Sequence, residues 1–162
     1  MVVPTRLVAG LFCLVLLALP IAASAQQPSP APATYRPGLG DLMTMTVQPR
    51  HIKLGLAGQQ ANWAYADYEL DELREAFDRV IAISPKWRNF SIADMAKSVL
   101  GEPMAALDKA IKSRDSGQFA TAYDQLTAAC NACHQSTEHP MIVIQRPTSS
   151  PFADQNFAPA AK

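Results

Sequence analysis

Three residues near the C-terminal end carry side chains that can do chemistry together. In Cys130-Asn131-Ala132-Cys133-His134 two thiols lie three positions apart and an imidazole follows the second directly. On a helix that spacing stacks the thiols about one turn apart. CxxCH is the attachment signal for c-type haem: the thiols form thioethers with the two vinyl groups, and the histidine offers a nitrogen to the iron. Other chemistries compete for the same residues. A thioredoxin-like pair needs a βαβ setting, and a zinc site needs four ligands, with only His51 and His139 as further nitrogen donors. A disulfide is open to an exported chain, although closing so small a loop constrains the unfolded state weakly.

The elements that must position the motif read as helices. In "FATAYDQLTAACNACHQ" the residues Phe119, Tyr123, Leu126, Cys130 and Cys133 recur at helical spacing, so the pair ends a helix with no strand before it. The clearest helix is "NWAYADYELDELREAFDRVIA", where Trp63, Ala66, Leu70, Leu73, Phe77 and Val80 form one apolar stripe. Its other face carries Asp67, Asp71, Glu72, Glu75 and Asp78 interleaved with Arg74 and Arg79, the pattern of a solvated face rather than a catalytic carboxylate pair.

Upstream, Leu42, Met45, Pro49, Ile52 and Leu56 share a stripe on an earlier helix, which Pro49 opens or kinks and whose end Gly55 and Gly58 weaken. Asn62 suits a turn or cap. "SPKWRNFS" breaks the pattern, and Ser91 with Asp94 starts a short helix to about Leu100. "EPMAALDKAIKSR" then places Met104, Leu107 and Ile111 on one face before the turn "DSGQ". Four main helices with short connections predict an all-α fold, an antiparallel four-helix bundle with the CxxCH motif towards its C-terminal end.

The front of the chain predicts export. Residues 1–25 combine Arg6, the apolar run "LVAGLFCLVLLAL", Pro20 and Ala23-Ser24-Ala25, the parts of a secretory signal peptide cleaved after Ala25. The run is shorter than the ~20 residues a membrane span needs, so no span is expected once the signal is removed. Cys13 leaves with it. A Pro-rich leader, residues 26–38, precedes the helical domain at 39–137, and an extended tail rich in Pro and small polar residues occupies 138–162. Acidic and basic side chains nearly balance and no Lys/Arg run occurs, so a nucleic-acid partner is not expected.

The order of these features resembles the class II c-type cytochromes, the cytochrome c prime family, over about Leu39 to Thr137. That resemblance implies an exported bundle with haem held between the last helix and the start of the first. Carried over, Cys130 and Cys133 are the thioether positions of a single haem c and His134 is the proximal iron ligand. The chain departs from the family in Pro49, in His51 and in the length of its tail.

On the distal side the first helix must supply what faces the iron. Met45 on the apolar stripe offers a thioether, which with histidine favours an electron-transfer cytochrome, and Met43, two positions earlier, is the weaker candidate. His51 at the stripe's edge would give bis-histidine ligation, or it is a hydrogen-bonded core histidine. Arg36, Arg50 and Arg146 are candidates for the haem propionates. The tail segment "PMIVIQRP" either packs along the bundle or covers the haem edge. The expected function is periplasmic electron transfer with redox partner proteins and no catalytic constellation; the alternative is a five-coordinate haem that binds a diatomic gas such as nitric oxide. A homodimer is a weaker expectation.

Overall fold

The computed structural model describes residues 34–161, so the expected signal segment, Cys13 and most of the Pro-rich leader lie outside the described residues. The fold is all-α: α1 (Leu39–Leu42), a π-helical turn (Met43–Val47), α2 (Gln48–Gln59), α3 (Trp63–Ile83), α4 (Ile92–Ser113) and α5 (Ser116–Ser136). Strand is confined to β1 (Lys86–Trp87) and β2 (Phe90–Ser91), an antiparallel pair.

The first helical arm is continuous, but Pro49 leaves its mark. Proline has no N–H to donate, and its ring crowds the carbonyl four residues earlier. The ladder ahead of it widens, so that the Gln48 N–H bonds to the Met43 carbonyl, five residues back. One extra residue in that turn rotates everything upstream relative to α2. Of the expected stripe, Leu42 and Leu56 are buried and Ile52 packs against the core, but Met45 is turned outward, and Val47, His51 and Leu54 are buried beside them.

Beyond the π turn, α2 keeps its helix through both glycines because they serve the approach of α5. A Cβ on Gly58 would stand 2.0 Å from the Phe119 ring, and one on Gly55 would stand 2.5 Å from the Tyr123 hydroxyl oxygen. Only the missing side chains let the two helices come this close.

Helix α3 starts at the expected cap: the Asn62 side chain accepts from the Tyr65 N–H at 3.3 Å. Its stripe of Ala66, Leu70, Leu73 and Val80 is buried. Ser91 caps α4 by accepting from the Asp94 N–H at 3.4 Å. The break expected near Leu100 does not occur, and one helix runs on with Pro103 inside it. Ala96, Leu100, Met104, Leu107 and Ile111 are buried on one face, and covering four large apolar side chains at about 1.5–3 kcal/mol each outweighs the ~3 kcal/mol that an interior proline costs. Asp115 opens α5, its carboxylate accepting from the N–H groups of Gly117 and Gln118 at 2.9 Å each.

The helices contact one another in a cycle, α2 with α3, α3 with α4, α4 with α5 and α5 with α2. Leu54, Leu70, Leu73, Leu107, Tyr123 and Leu126 fill the core. One charge is buried among them. Glu69 is 1% exposed and meets Arg50 at 3.3 Å, and Arg50 also meets Glu72 at 2.9 Å. Burial raises the Glu69 carboxyl above its ordinary value, against the pull of Arg50.

After α5 the tail has no regular secondary structure and returns along the helices. Arg146 meets Asp124 at 2.6 Å, Gln59 donates to the Pro147 carbonyl at 3.1 Å, and Asn62 donates to the carbonyls of Phe157 and Ala158 at 3.1 Å. Phe157 is buried and stacks on Tyr65 at 5.4 Å. No helix among the described residues is long and apolar enough to cross a membrane.

Candidate functional site

A cavity of about 220 Å³ opens beside the start of the first helical arm, between α4, α5 and the tail. One water needs about 15 Å³ on this measure, so the space is molecule-sized. Phe77, Trp87, Val99 and Leu100 contribute to its apolar wall, and not one Asp, Glu, Lys or Arg lines it. Cys130, Cys133 and His134 all do. The three residues singled out by spacing are thus gathered on one uncharged, apolar space.

The thiols have the wrong electrostatics for disulfide exchange. Burial pushes Cys130 up to about 11, with the neighbouring Cys133 adding to it, and burial also raises Cys133. Exchange needs a thiolate, which redox pairs obtain from a helix N-terminus or a nearby cation. This pair sits near the C-terminal end of α5, and both thiols are free.

His134 is oriented by the tail. Its Nδ1 lies 2.8 Å from the Ile142 carbonyl oxygen. A carbonyl only accepts, so in the neutral imidazole Nδ1 carries the proton and Nε2 keeps the lone pair that a metal would use. His139 is fixed in the same sense, with Nδ1 at 2.7 Å from the Thr137 carbonyl and its ring 4.8 Å from that of Trp87. It lines the cavity too.

His51 lines the cavity but both of its nitrogens are engaged. The Thr127 hydroxyl donates to the Tyr123 carbonyl at 2.9 Å, so its oxygen is left to accept from His51 Nε2–H at 3.1 Å. Nδ1 then accepts from the Tyr123 hydroxyl at 3.0 Å. His51 is buried and hydrogen-bonded here, and burial lowers its imidazole to about 4.

Met45 is 71% exposed and does not line the cavity. The extra residue in the π turn carries it outward, and the methionine on the wall is Met43, partly buried and packed against the core. Periodicity read at 3.6 residues per turn does not register the π turn, for which Pro49 was the available warning. The three arginines expected near propionates are engaged elsewhere. Arg36 donates to the Ile83 carbonyl, Arg50 pairs with Glu69 and Glu72, and Arg146 pairs with Asp124. Arg88 stands beside the wall, 4.3 Å over the Trp87 ring and paired with Glu138 at 3.2 Å.

One part of the wall, Trp87, had no sequence forecast, and another comes from the tail segment expected to pack along the bundle or cover the haem edge. Trp87 is placed by the small hairpin, whose two-residue turn holds Arg88 at φ 50°. Ile142 and Ile144 come from the tail, with Val143 between them 71% exposed, the alternation of an extended chain. Among the described residues no three His, Cys, Asp or Glu side chains form a metal-ligand group, which leaves a four-ligand zinc site without its donors. A haem iron takes four nitrogens from the porphyrin and asks the protein for only one or two ligands, so the donors present suit it. No known family model matches the chain, and neither a curated protein nor a solved structure matches it.

Proposed function

We propose that the chain is an exported monohaem c-type cytochrome, an antiparallel four-helix bundle of the cytochrome c prime type that works in periplasmic electron transfer. One observation carries this reading: Cys130, Cys133 and His134 converge on an uncharged, apolar, molecule-sized cavity. Cys130 and Cys133 would hold the haem as thioethers, and His134, with its lone pair on Nε2, would be the proximal ligand. When bound, the haem would supply a one-electron ferric/ferrous couple whose potential follows its axial ligands and burial. The apolar wall would limit water around the haem and so favour its less charged reduced state. Redox partner proteins, rather than a substrate, complete the function.

For the sixth position the wall offers Met43 in place of Met45. A thioether there would give the histidine and methionine pair of an electron carrier. The alternative, a five-coordinate haem that binds a diatomic gas such as nitric oxide, draws on one observation: His51 is held by two hydrogen bonds and Met45 lies outside the cavity, so Met43 is the one remaining candidate of the three.

The test is the protein expressed with periplasmic haem-attachment machinery, extracted with acid acetone, and examined by absorption spectroscopy in both oxidation states. Haem that stays with the protein, with a low-spin spectrum, is expected. Extractable haem, or none, rejects the cytochrome. Covalent haem that is high-spin and takes up carbon monoxide transfers the assignment to gas binding.

A further inference from the structure

We propose that the C-terminal tail is a proximal strap, in which the Ile142 carbonyl, held by a clamp between Asn131 and Ile144, positions the His134 imidazole and sets its donor strength. This rests on His134 being the proximal ligand. Three hydrogen bonds make the arrangement. Asn131 donates from Nδ2 to the Ile144 carbonyl at 2.9 Å and accepts at Oδ1 from the Ile144 N–H at 2.7 Å. His134 donates from Nδ1 to the Ile142 carbonyl at 2.8 Å.

The clamp has two contacts, as a neighbouring strand would have, so it fixes both the position and the direction of the chain at Ile144. Two residues earlier, the extended backbone brings the Ile142 carbonyl to His134. The Ile142 N–H is itself bonded to the His139 carbonyl at 3.0 Å, and Arg146 ties the other side to the Ala120 carbonyl at 3.1 Å. The carbonyl is therefore held from before and behind.

Asn131 occupies an intervening position of CxxCH, where thioether chemistry makes no demand on the side chain. Its two bonds give it a separate task. Ala132, the other intervening residue, is exposed.

An acceptor on Nδ1–H fixes the tautomer and orientation of a ligating imidazole and makes it a stronger donor. A stronger donor stabilises the ferric iron more than the ferrous. Releasing the strap should weaken donation and raise the reduction potential. Asn131 is thus a positioning residue that acts through the tail backbone.

The experiment uses the full-length haem-loaded protein, with covalent haem content, midpoint potential and solvent exchange of the His134 Nδ1 proton measured by NMR. Asn131→Ala should keep covalent haem, speed that exchange and raise the potential, while Ala132→Asn should change none of these. Ile144→Pro breaks one of the two clamp bonds from the tail side, since proline has no N–H but keeps its carbonyl, and should move both readouts in the same direction, by less, even if Asn131→Ala fails to fold. Covalent haem with wild-type exchange and potential in the clamp variants overturns the strap. A wild-type protein without covalent haem overturns the cytochrome reading itself.

Discussion

The Tyr123 hydroxyl reaches His51 twice, at 2.8 Å from its backbone carbonyl and 3.0 Å from its Nδ1. One side chain of α5 thereby holds both the backbone and the imidazole of an α2 residue on the cavity wall. Tyr123→Phe keeps the ring and its packing but removes the one hydroxyl proton, leaving the buried His51 Nδ1 without its donor. Loss of about 1–3 kcal/mol is expected in urea unfolding. An unchanged midpoint would show that the hydroxyl is not holding the seam.

Acid should act through the same histidine. Burial lowers the His51 imidazole from its ordinary 6.5 to about 4. Between those values the unfolded chain binds a proton that the folded chain refuses, so stability is lost as pH falls from 6.5 towards 4. The expected loss is about 3 kcal/mol over that window. His51→Gln cannot titrate, and its stability should vary less across the same range. Parallel pH profiles for the two proteins would contradict this.

Two glycines should respond to alanine with opposite sign. Gly58→Ala drives a methyl into the Phe119 ring and should cost about 1–3 kcal/mol as overpacking, with α2 pushed off α5. Gly101 lies in α4, where an added Cβ would meet nothing within 4 Å. Gly101→Ala should gain about 0.5–1 kcal/mol by restricting the unfolded chain. Thermal unfolding of both variants checks the pair.

The methionines make a second contrast. Met45→Ala removes an exposed side chain and should leave the haem spectrum and carbon monoxide reactivity as they are. Met43→Ala removes the thioether on the wall and should turn a low-spin spectrum high-spin and open the iron to carbon monoxide. The reverse pattern would mean that the π turn is absent from the loaded protein.

What could be read from the chain alone was what depends on near neighbours. Cys130, Cys133 and His134 are adjacent in sequence, so their grouping follows from helix geometry whatever the rest of the chain does. The apolar stripe of α3 and the caps at Asn62 and Ser91 are local in the same way, and they stand where the pattern puts them. Met45 was misplaced because one proline changed the hydrogen-bond ladder by a residue, and a fixed period cannot carry that change. The break expected near Leu100 failed for a related reason: burial supplied by α3 and α5 outweighed a local preference. The partners of His51 lie 72 and 76 residues away, the tail is tied down by Asn62 and Gln59 from the other end of the sequence, and Gly55 and Gly58 have meaning only against Phe119 and Tyr123. Such contacts exist only after the helices have packed, because each depends on two surfaces that the chain brings together in three dimensions.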